Sequence, residues 1–320
     1  MIKLGILGCA EIAYRRFMPA VLQVEGIEVV AIGEEYAAEK LKAFCDEYSL
    51  KGYTSFEEMI NNEDLDAVYI PQPPSLHYKW AKYALEHNLH VLLEKPSTIN
   101  YYLSDELVEM AKRKNCALHE NYMFQYHSQI EKIKELISNR AAGDIRLIRL
   151  DFGFPLRAKN DFRYIKDLGG GALLDAAGYP LKLASVLLGD TVKVKASQLN
   201  SIDGYEVDMY GSAMVSNDEG VVCQIGFGMD SFYQCNIQIW GSKGMITSNR
   251  IFTAPPEYEP RINIETNDEK SEIVLEADSH FVHSIEAFLD EINDNNKREK
   301  MYNDILLQAR LVQQIKDENQ

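Results

Sequence analysis

The chain has 320 residues, 46% of them hydrophobic, more than a single core usually serves, so two domains are expected. Its 33 Lys and Arg stand against 49 Asp and Glu, for a formal net charge of -16, which repels a phosphate polyanion and argues against nucleic acid as a partner. No apolar run approaches the roughly 18 residues of a spanning helix, and the opening MIKLGILGCA has no signal-peptide layout; the five cysteines (Cys9, Cys45, Cys116, Cys223, Cys235) are scattered without C-x-x-C spacing, so a membrane role, a disulfide framework and a zinc site are disfavoured and a cytoplasmic protein is expected.

From residue 1 to about 120, short β-rich runs at 3–7, 28–32, 67–70, 90–93 and 116–118 alternate with segments of helical period at 12–23, 37–48, 56–60, 76–87 and 102–114. Such alternation is the signature of βαβ units and predicts an α/β fold, a doubly wound parallel sheet of the Rossmann type, over 1–120. Beyond that point the pattern changes to a helix at 129–138, a strand at 145–152, a helix after Gly169-Gly170-Gly171 and then a run of strands. In the strands at 221–227 and 233–240, Cys235, Ile237 and Ile239 share one face while Gln234, Asn236 and Gln238 share the other. Helices at 281–292 and 302–316 close the chain. Residues 121–320 therefore read as a second, α+β domain with a mostly antiparallel, open-faced sheet, for substrate binding and oligomerisation.

Gly8-Cys9-Ala10-Glu11-Ile12-Ala13 lies between the first strand and the first helix, where a dinucleotide fold places its G-x-G-x-x-G/A turn. Gly8 suits the tight turn and Ala13 the close helix packing, while Ala10 adds a methyl where a second glycine would let backbone approach the pyrophosphate. Glu34 and Glu35 follow the second strand. An acidic side chain there accepts from ribose hydroxyls and repels a 2'-phosphate, which favours NAD over NADP. Pro71, Gln72, Ser75 and His77 after the third strand form a rigid loop at the ligand-binding edge, with His77 given no proton-transfer role. Glu94-Lys95-Pro96 ends the fourth strand at the same edge, where a lysine can donate a proton or hydrogen bond to the oxygen of the carbon exchanging hydride. His280 and His283 lack a third partner at metal-binding spacing, and no metal site is assigned.

Taken in order, the Gly8 turn, Glu94-Lys95-Pro96, Glu120-Asn121-Tyr122-Met123, and 168–175 (LGGGALLD) with Tyr179-Pro180 resemble the glucose-fructose oxidoreductase, inositol dehydrogenase and rhizopine-catabolism family (Gfo/Idh/MocA) over nearly the whole length. The resemblance implies that Lys95 contacts nicotinamide and substrate, and that an Asp-x-x-x-Tyr pair, Asp175 and Tyr179, reaches the same site from the second domain. Tyr179 is then the acid/base. A phenol, with an unperturbed pKa of about 10, needs a cation to assist it, and Lys95 is the candidate helper.

The tyrosine form, Ala10 to Ala13 followed by Arg15-Arg16, Asp161-Phe162-Arg163-Tyr164, and 252–256 (FTAPP) look most like nucleotide-sugar 3-ketoreductases of deoxysugar pathways. Asn121, Arg163 and Tyr164 are then expected to meet a sugar or sugar-nucleotide substrate, with Arg157, Lys159, Arg163 and Lys166 gathering positive charge in an otherwise acidic chain. Two departures stand out: Glu34-Glu35 replaces the Ser-Arg that many relatives carry for NADP, and Gln125 replaces a common arginine. The expected activity is NAD(P)-dependent hydride transfer at a sugar-type carbonyl or alcohol, possible alternatives being a cofactor-binding regulator and a redox-neutral NAD-dependent hydrolase. Relatives with this plan pair open sheet faces, which implies a homodimer or homotetramer.

Overall fold

Residues 1–319 are described by a computed structural model. In the first part of the chain, β1 (Ile2–Leu7), β2 (Ile27–Gly33), β3 (Lys51–Tyr53), β4 (Ala67–Ile70), β5 (His90–Glu94) and β6 (Leu118–Asn121) pair in parallel in the order β3-β2-β1-β4-β5-β6. Helices α1 (Met18–Val21), α2 (Ala38–Tyr48), α3 (Phe56–Asn62), α4 (Pro74–Glu86) and α5 (Tyr101–Lys114) connect them. The order reverses between β1 and β4, and such a switch point opens a crevice at the carboxyl ends of the strands. Leu4, Ile6, Val68, Ile70, Val91 and Leu93 are fully buried, as strands covered on both faces require.

Two strands differ from expectation. Lys51–Tyr53 is only three residues long and mostly exposed, so no apolar run marks it. The last strand runs four residues to Asn121 and buries His119, Glu120 and Asn121, polar residues that an apolar pattern passes over.

The second part contains α6 (Ser128–Ser138), β7 (Ile145–Gly153), α7 (Gly178–Leu188) and the strands β8 (Lys193–Ser201), β9 (Asp208–Ser216), β10 (Val222–Gly228), β11 (Gln234–Gly241), β12 (Gly244–Asn249), β13 (Arg261–Thr266) and β14 (Lys270–Val274). They form one sheet, β14-β13-β12-β11-β7-β10-β9-β8, antiparallel except between β7 and β10. Cys235, Ile237 and Ile239 are buried, whereas Gln234 and Trp240 are exposed, so the sheet has one covered and one open face.

Two proline-bearing helices start in π geometry, Ala13–Phe17 before Pro19 and Leu173–Ala177 before Pro180. Proline lacks an N–H and crowds the carbonyl four residues back, and a wider turn relieves both. The segment Lys166–Leu188 is long and apolar enough on composition to cross a membrane, which no apolar run had suggested, yet 83% of its most apolar window is buried within the fold. It is a core helix.

Two compact units result: Met1–Asn121 with Phe281–Leu306, and Tyr122–His280 with the chain from Leu307 onward. Helix α8 (His280–Asn293) and the first half of α9 (Asn295–Glu318), assigned from the sequence to the second domain, thus pack with the first unit.

Candidate active site

In the first unit the expected residues gather at the carboxyl ends of the parallel strands. Gly8 follows β1 with φ +117°, its amide donating to the Gly33 carbonyl at 2.9 Å. A Cβ there would be strained and would run into the Gln72 side chain. Gln72 Nε2 lies on the turn and donates to the Leu7 carbonyl at 2.7 Å.

The two acidic residues after β2 part company. Glu34 turns toward the glycine turn, where its carboxylate accepts from the Cys9 amide at 2.8 Å and from the Tyr36 amide at 3.0 Å. Glu35 faces the start of α3 instead, accepting from the Phe56 amide at 3.4 Å. Burial and the Glu34 charge push the Cys9 thiol up to about 12, which keeps it un-ionised. Glu11 is exposed and pairs with Arg15, while Ala10 and Ile12 are half-buried. A positive-φ glycine and a carboxylate at the end of β2 suit an adenine dinucleotide: Gly8 and Ala10 would lie along its phosphates and Glu34 beside its ribose, while the Cys9 amide is taken by Glu34.

Pro71 is buried and Ser75 lies half-buried on the first turn of α4. His77, fully buried, joins that loop to the lysine motif: Nε2 lies 2.6 Å from the Gln72 carbonyl and Nδ1 2.8 Å from the Pro96 carbonyl. Burial pulls its pKa down to about 4, outweighing the two carbonyls, which favour the charged ring; the Lys95 charge adds to the lowering. A neutral ring therefore donates to one carbonyl and braces the loop.

Lys95 is half-buried at the end of β5, with a cis peptide to Pro96. Beside it, the Glu94 carboxylate accepts from the Tyr69 hydroxyl and from Asn121 Nδ2, both at 2.7 Å. Although Glu94 keeps some exposed surface, desolvation raises its carboxyl above the usual range, opposed by those two bonds and by the Lys95 charge. Asn121, expected to touch substrate, is 1% exposed and has its carbonyl taken by the Ser284 hydroxyl at 2.8 Å. It supports the motif from within the core.

In the second unit, Asp175 lies in the π segment and Tyr179 at the start of α7. Arg163 Nε donates to Asp175 at 2.7 Å and its Nη1 to Asp161 at 3.0 Å. Burial opposes the charged guanidinium, but the two carboxylates overcome it and raise its pKa. The glycine triple fixes this arrangement, because the Gly171 amide donates to the Arg163 carbonyl at 2.9 Å and the Gly170 amide to that of Ile165 at 3.0 Å. Arg163 is thus an anchor for Asp175. Tyr164 is buried, and its hydroxyl accepts from the Arg157 amide at 2.7 Å.

The Tyr179 ring is enclosed by Phe152 (4.9 Å between centroids), Tyr122 (5.6 Å), Phe124 (5.9 Å) and Phe252 (6.0 Å). Neither this shell nor the partners His119, Ser284 and Glu291 in the first unit were found from the sequence. Tyr122 and Phe252 fall inside motifs and Phe124 and His119 beside one, but no spacing tells what they surround, and Ser284 and Glu291 lie far along the chain.

The family model for an oxidoreductase family with an NAD-binding Rossmann fold, GFO_IDH_MocA, matches residues 2–122, and that for the GFO/IDH/MocA C-terminal domain matches 130–247. The chain belongs to the Gfo/Idh/MocA family. It is an NAD(P)-dependent oxidoreductase with the Rossmann domain and the second, mostly antiparallel domain expected from its motifs. Among its Gfo/Idh/MocA relatives is the dTDP-3,4-didehydro-2,6-dideoxy-alpha-D-glucose 3-reductase of Actinomadura kijaniata, 33% identical over 98% of this chain and 95% of that protein. A solved 3-ketoreductase from the same organism, in complex with NADP and TDP-benzene, superposes with a TM-score of 0.96 at 33% identity, covering 100% of this chain and 98% of that one. That 3-ketoreductase has also been solved with a tyrosine replaced by phenylalanine (TM-score 0.96) and with a lysine replaced by alanine (TM-score 0.92).

Proposed function

We propose that this oxidoreductase moves a hydride between a nicotinamide and the keto carbon of a nucleotide-linked sugar. The observation carrying the reading is the full-length likeness to a 3-ketoreductase holding NADP and TDP-benzene. The dinucleotide supplies or accepts the hydride when bound. Tyr179 gives a proton to the substrate oxygen or takes it back, Lys95 supplies the positive charge that eases this transfer, and Asp175, tied to Arg163, holds the helix start that presents the phenol. A substrate screen following nicotinamide absorbance, with dTDP-linked 3-ketosugars beside free sugars and cyclitols, tests it. Turnover confined to free sugars would overturn the nucleotide-sugar assignment.

The proposed cofactor is NAD(H) in preference to NADP(H), although the solved relatives hold NADP. The Glu34 carboxylate on the glycine turn supports this, because a 2'-phosphate at the end of β2 would meet its charge. Calorimetry at moderate salt giving the lower dissociation constant to NADP(H) would reverse the preference. The open sheet face supports a homo-oligomer: Tyr210, Met214 and Trp240 are exposed on it. A monomeric mass by light scattering at micromolar concentration would exclude that assembly.

A further inference from the structure

The interior of the first unit contains a chain of polar side chains that no hydride-transfer step uses. His119, Asn121, Ser284 and Glu291 are each at most 4% exposed. Buried polar groups cost free energy unless every one is bonded, and an apolar replacement of the same shape is often no less stable. Such a set therefore calls for an explanation at its open end.

That end is Glu94, next to Lys95. The Glu94 carboxylate has no hydrogen of its own when ionised, so Asn121 must turn its Nδ2 toward it, at 2.7 Å. Asn121 Oδ1 is then an acceptor and takes the single hydrogen of the Ser284 hydroxyl, at 2.8 Å. With that hydrogen used, Ser284 Oγ can only accept from His119 Nε2, 3.0 Å away. His119 Nδ1 in turn faces both Glu291 oxygens at 2.9 and 3.1 Å. With Glu94 ionised, donor direction follows from Glu94 through Asn121 and Ser284 to His119 Nε2. Ser284 and Glu291 both lie on α8, two turns apart on one face, and bracket the imidazole from its two nitrogens.

We infer that the relay from Glu291 through His119, Ser284 and Asn121 positions Glu94, and through Glu94 the catalytic Lys95. The inference rests on the proposed role of Lys95. Glu94 acts on Lys95 in two ways, accepting from its backbone amide and setting a negative charge beside its ammonium. A rotated Asn121 amide would withdraw one of the donors that hold the carboxylate, and the ammonium would lose its fixed reference. His119, Ser284, Asn121 and Glu291 are accordingly positioning residues, and this is a reason for α8 to pack with the first unit.

Ser284→Ala deletes one oxygen and tests the link. The expected result is a fall in kcat of about tenfold with KM for both substrates within about twofold, as for a misplaced but bound catalytic group. In the cofactor-free protein, the Asn121 side-chain amide should lose its protection from hydrogen exchange by NMR, and Ser284→Thr should recover both properties. A kcat within about twofold of the parent, together with a lowered melting temperature, would make Ser284 a packing group and overturn the relay. Should Ser284→Ala not fold, Glu291→Gln, of equal size, is read the same way: reduced kcat at constant KM supports the relay, and unchanged kcat rejects it. Lys95→Ala measured alongside separates the two ideas. Inactive Lys95→Ala with unaffected Ser284→Ala rejects the relay alone, whereas active Lys95→Ala removes the role of Lys95 first.

Discussion

Lys95 stands in a lattice of directional bonds, whereas Tyr179 stands among rings. Around the lysine, Glu94, Tyr69, Asn121 and the His77 bridge to Pro96 fix positions through donors and acceptors between 2.6 and 2.8 Å. Around the tyrosine, four aromatic side chains with centroids 4.9 to 6.0 Å away fix the phenol by shape. A mobile ammonium on a four-carbon stem has many rotamers and is best held by electrostatic reference points, while a flat ring is held by walls. The two surroundings should therefore respond differently to substitution.

The sharpest break removes the functional atoms themselves. Lys95→Ala and Tyr179→Phe are each expected to lower turnover by about 10² to 10⁴, the usual worth of a general acid, while cofactor affinity stays within about tenfold. Tyr179→Phe should leave the melting temperature nearly unchanged, since the ring that fills the aromatic shell remains. Near-normal turnover of that variant on the identified substrate would return Tyr179 to a packing role.

Next in size is the ion pair between Arg163 and Asp175 on the tyrosine side. Arg163 and Asp175 side chains are 20% and 11% exposed, and removing the guanidinium takes a sheltered cation from both Asp175 and Asp161. Arg163→Ala is expected to cost roughly 3 kcal/mol in urea unfolding. A loss below about 1 kcal/mol would show that water reaches Asp175 and that the pair is worth no more than a surface bridge.

How far the sequence shows this contrast depends on which residues carry it. The motifs were legible because each sits where a strand of a doubly wound sheet ends: Gly8 after β1, Glu34 after β2, Gln72 after β4 and Lys95 after β5. The relay was not. His119 meets Glu291 across 172 residues and Asn121 meets Ser284 across 163, and neither pairing leaves a periodicity. The aromatic shell was half visible, since Phe152 falls on an expected strand, but its closure over Tyr179 depends on Phe252 arriving from a loop. The same reasoning explains the return of 281–306 to the first unit, which amphipathic helices announce without saying whose core they cover.

The lysine side also carries a pH signature. His77 titrates near 4 in the folded protein and near 6.5 when unfolded, so the unfolded chain binds the extra proton between those values. Stability is complete above about pH 6.5 and falls as pH drops toward 4, by on the order of 2 kcal/mol at pH 4.5 from this residue. His77→Gln should flatten that part of the acid limb in urea melts at pH 7 and pH 4.5. An unchanged limb would mean that the ring is already charged in the fold and that its two carbonyls outweigh burial.

The smallest effect tests whether the aromatic shell is held by shape. Gly178 opens α7 with ordinary helical φ of -54°, so alanine there should gain about 0.5 to 1 kcal/mol in backbone entropy if nothing else changed. Its Cβ, however, would be driven into the Tyr122 hydroxyl, and overpacking of a close contact costs about 1 to 3 kcal/mol. The clash outweighs the propensity, so Gly178→Ala is expected to destabilise by about 1 kcal/mol. Removing the obstructing oxygen reverses the sign of the argument. Tyr122→Phe costs its own bond from Gln308 Nε2, 3.3 Å away, but Gly178→Ala made in that background should be neutral or stabilising. A double-mutant cycle with a coupling below about 0.5 kcal/mol would show that the tyrosine ring slides freely, and the shell around Tyr179 would then be a loose cluster unable to aim a phenol.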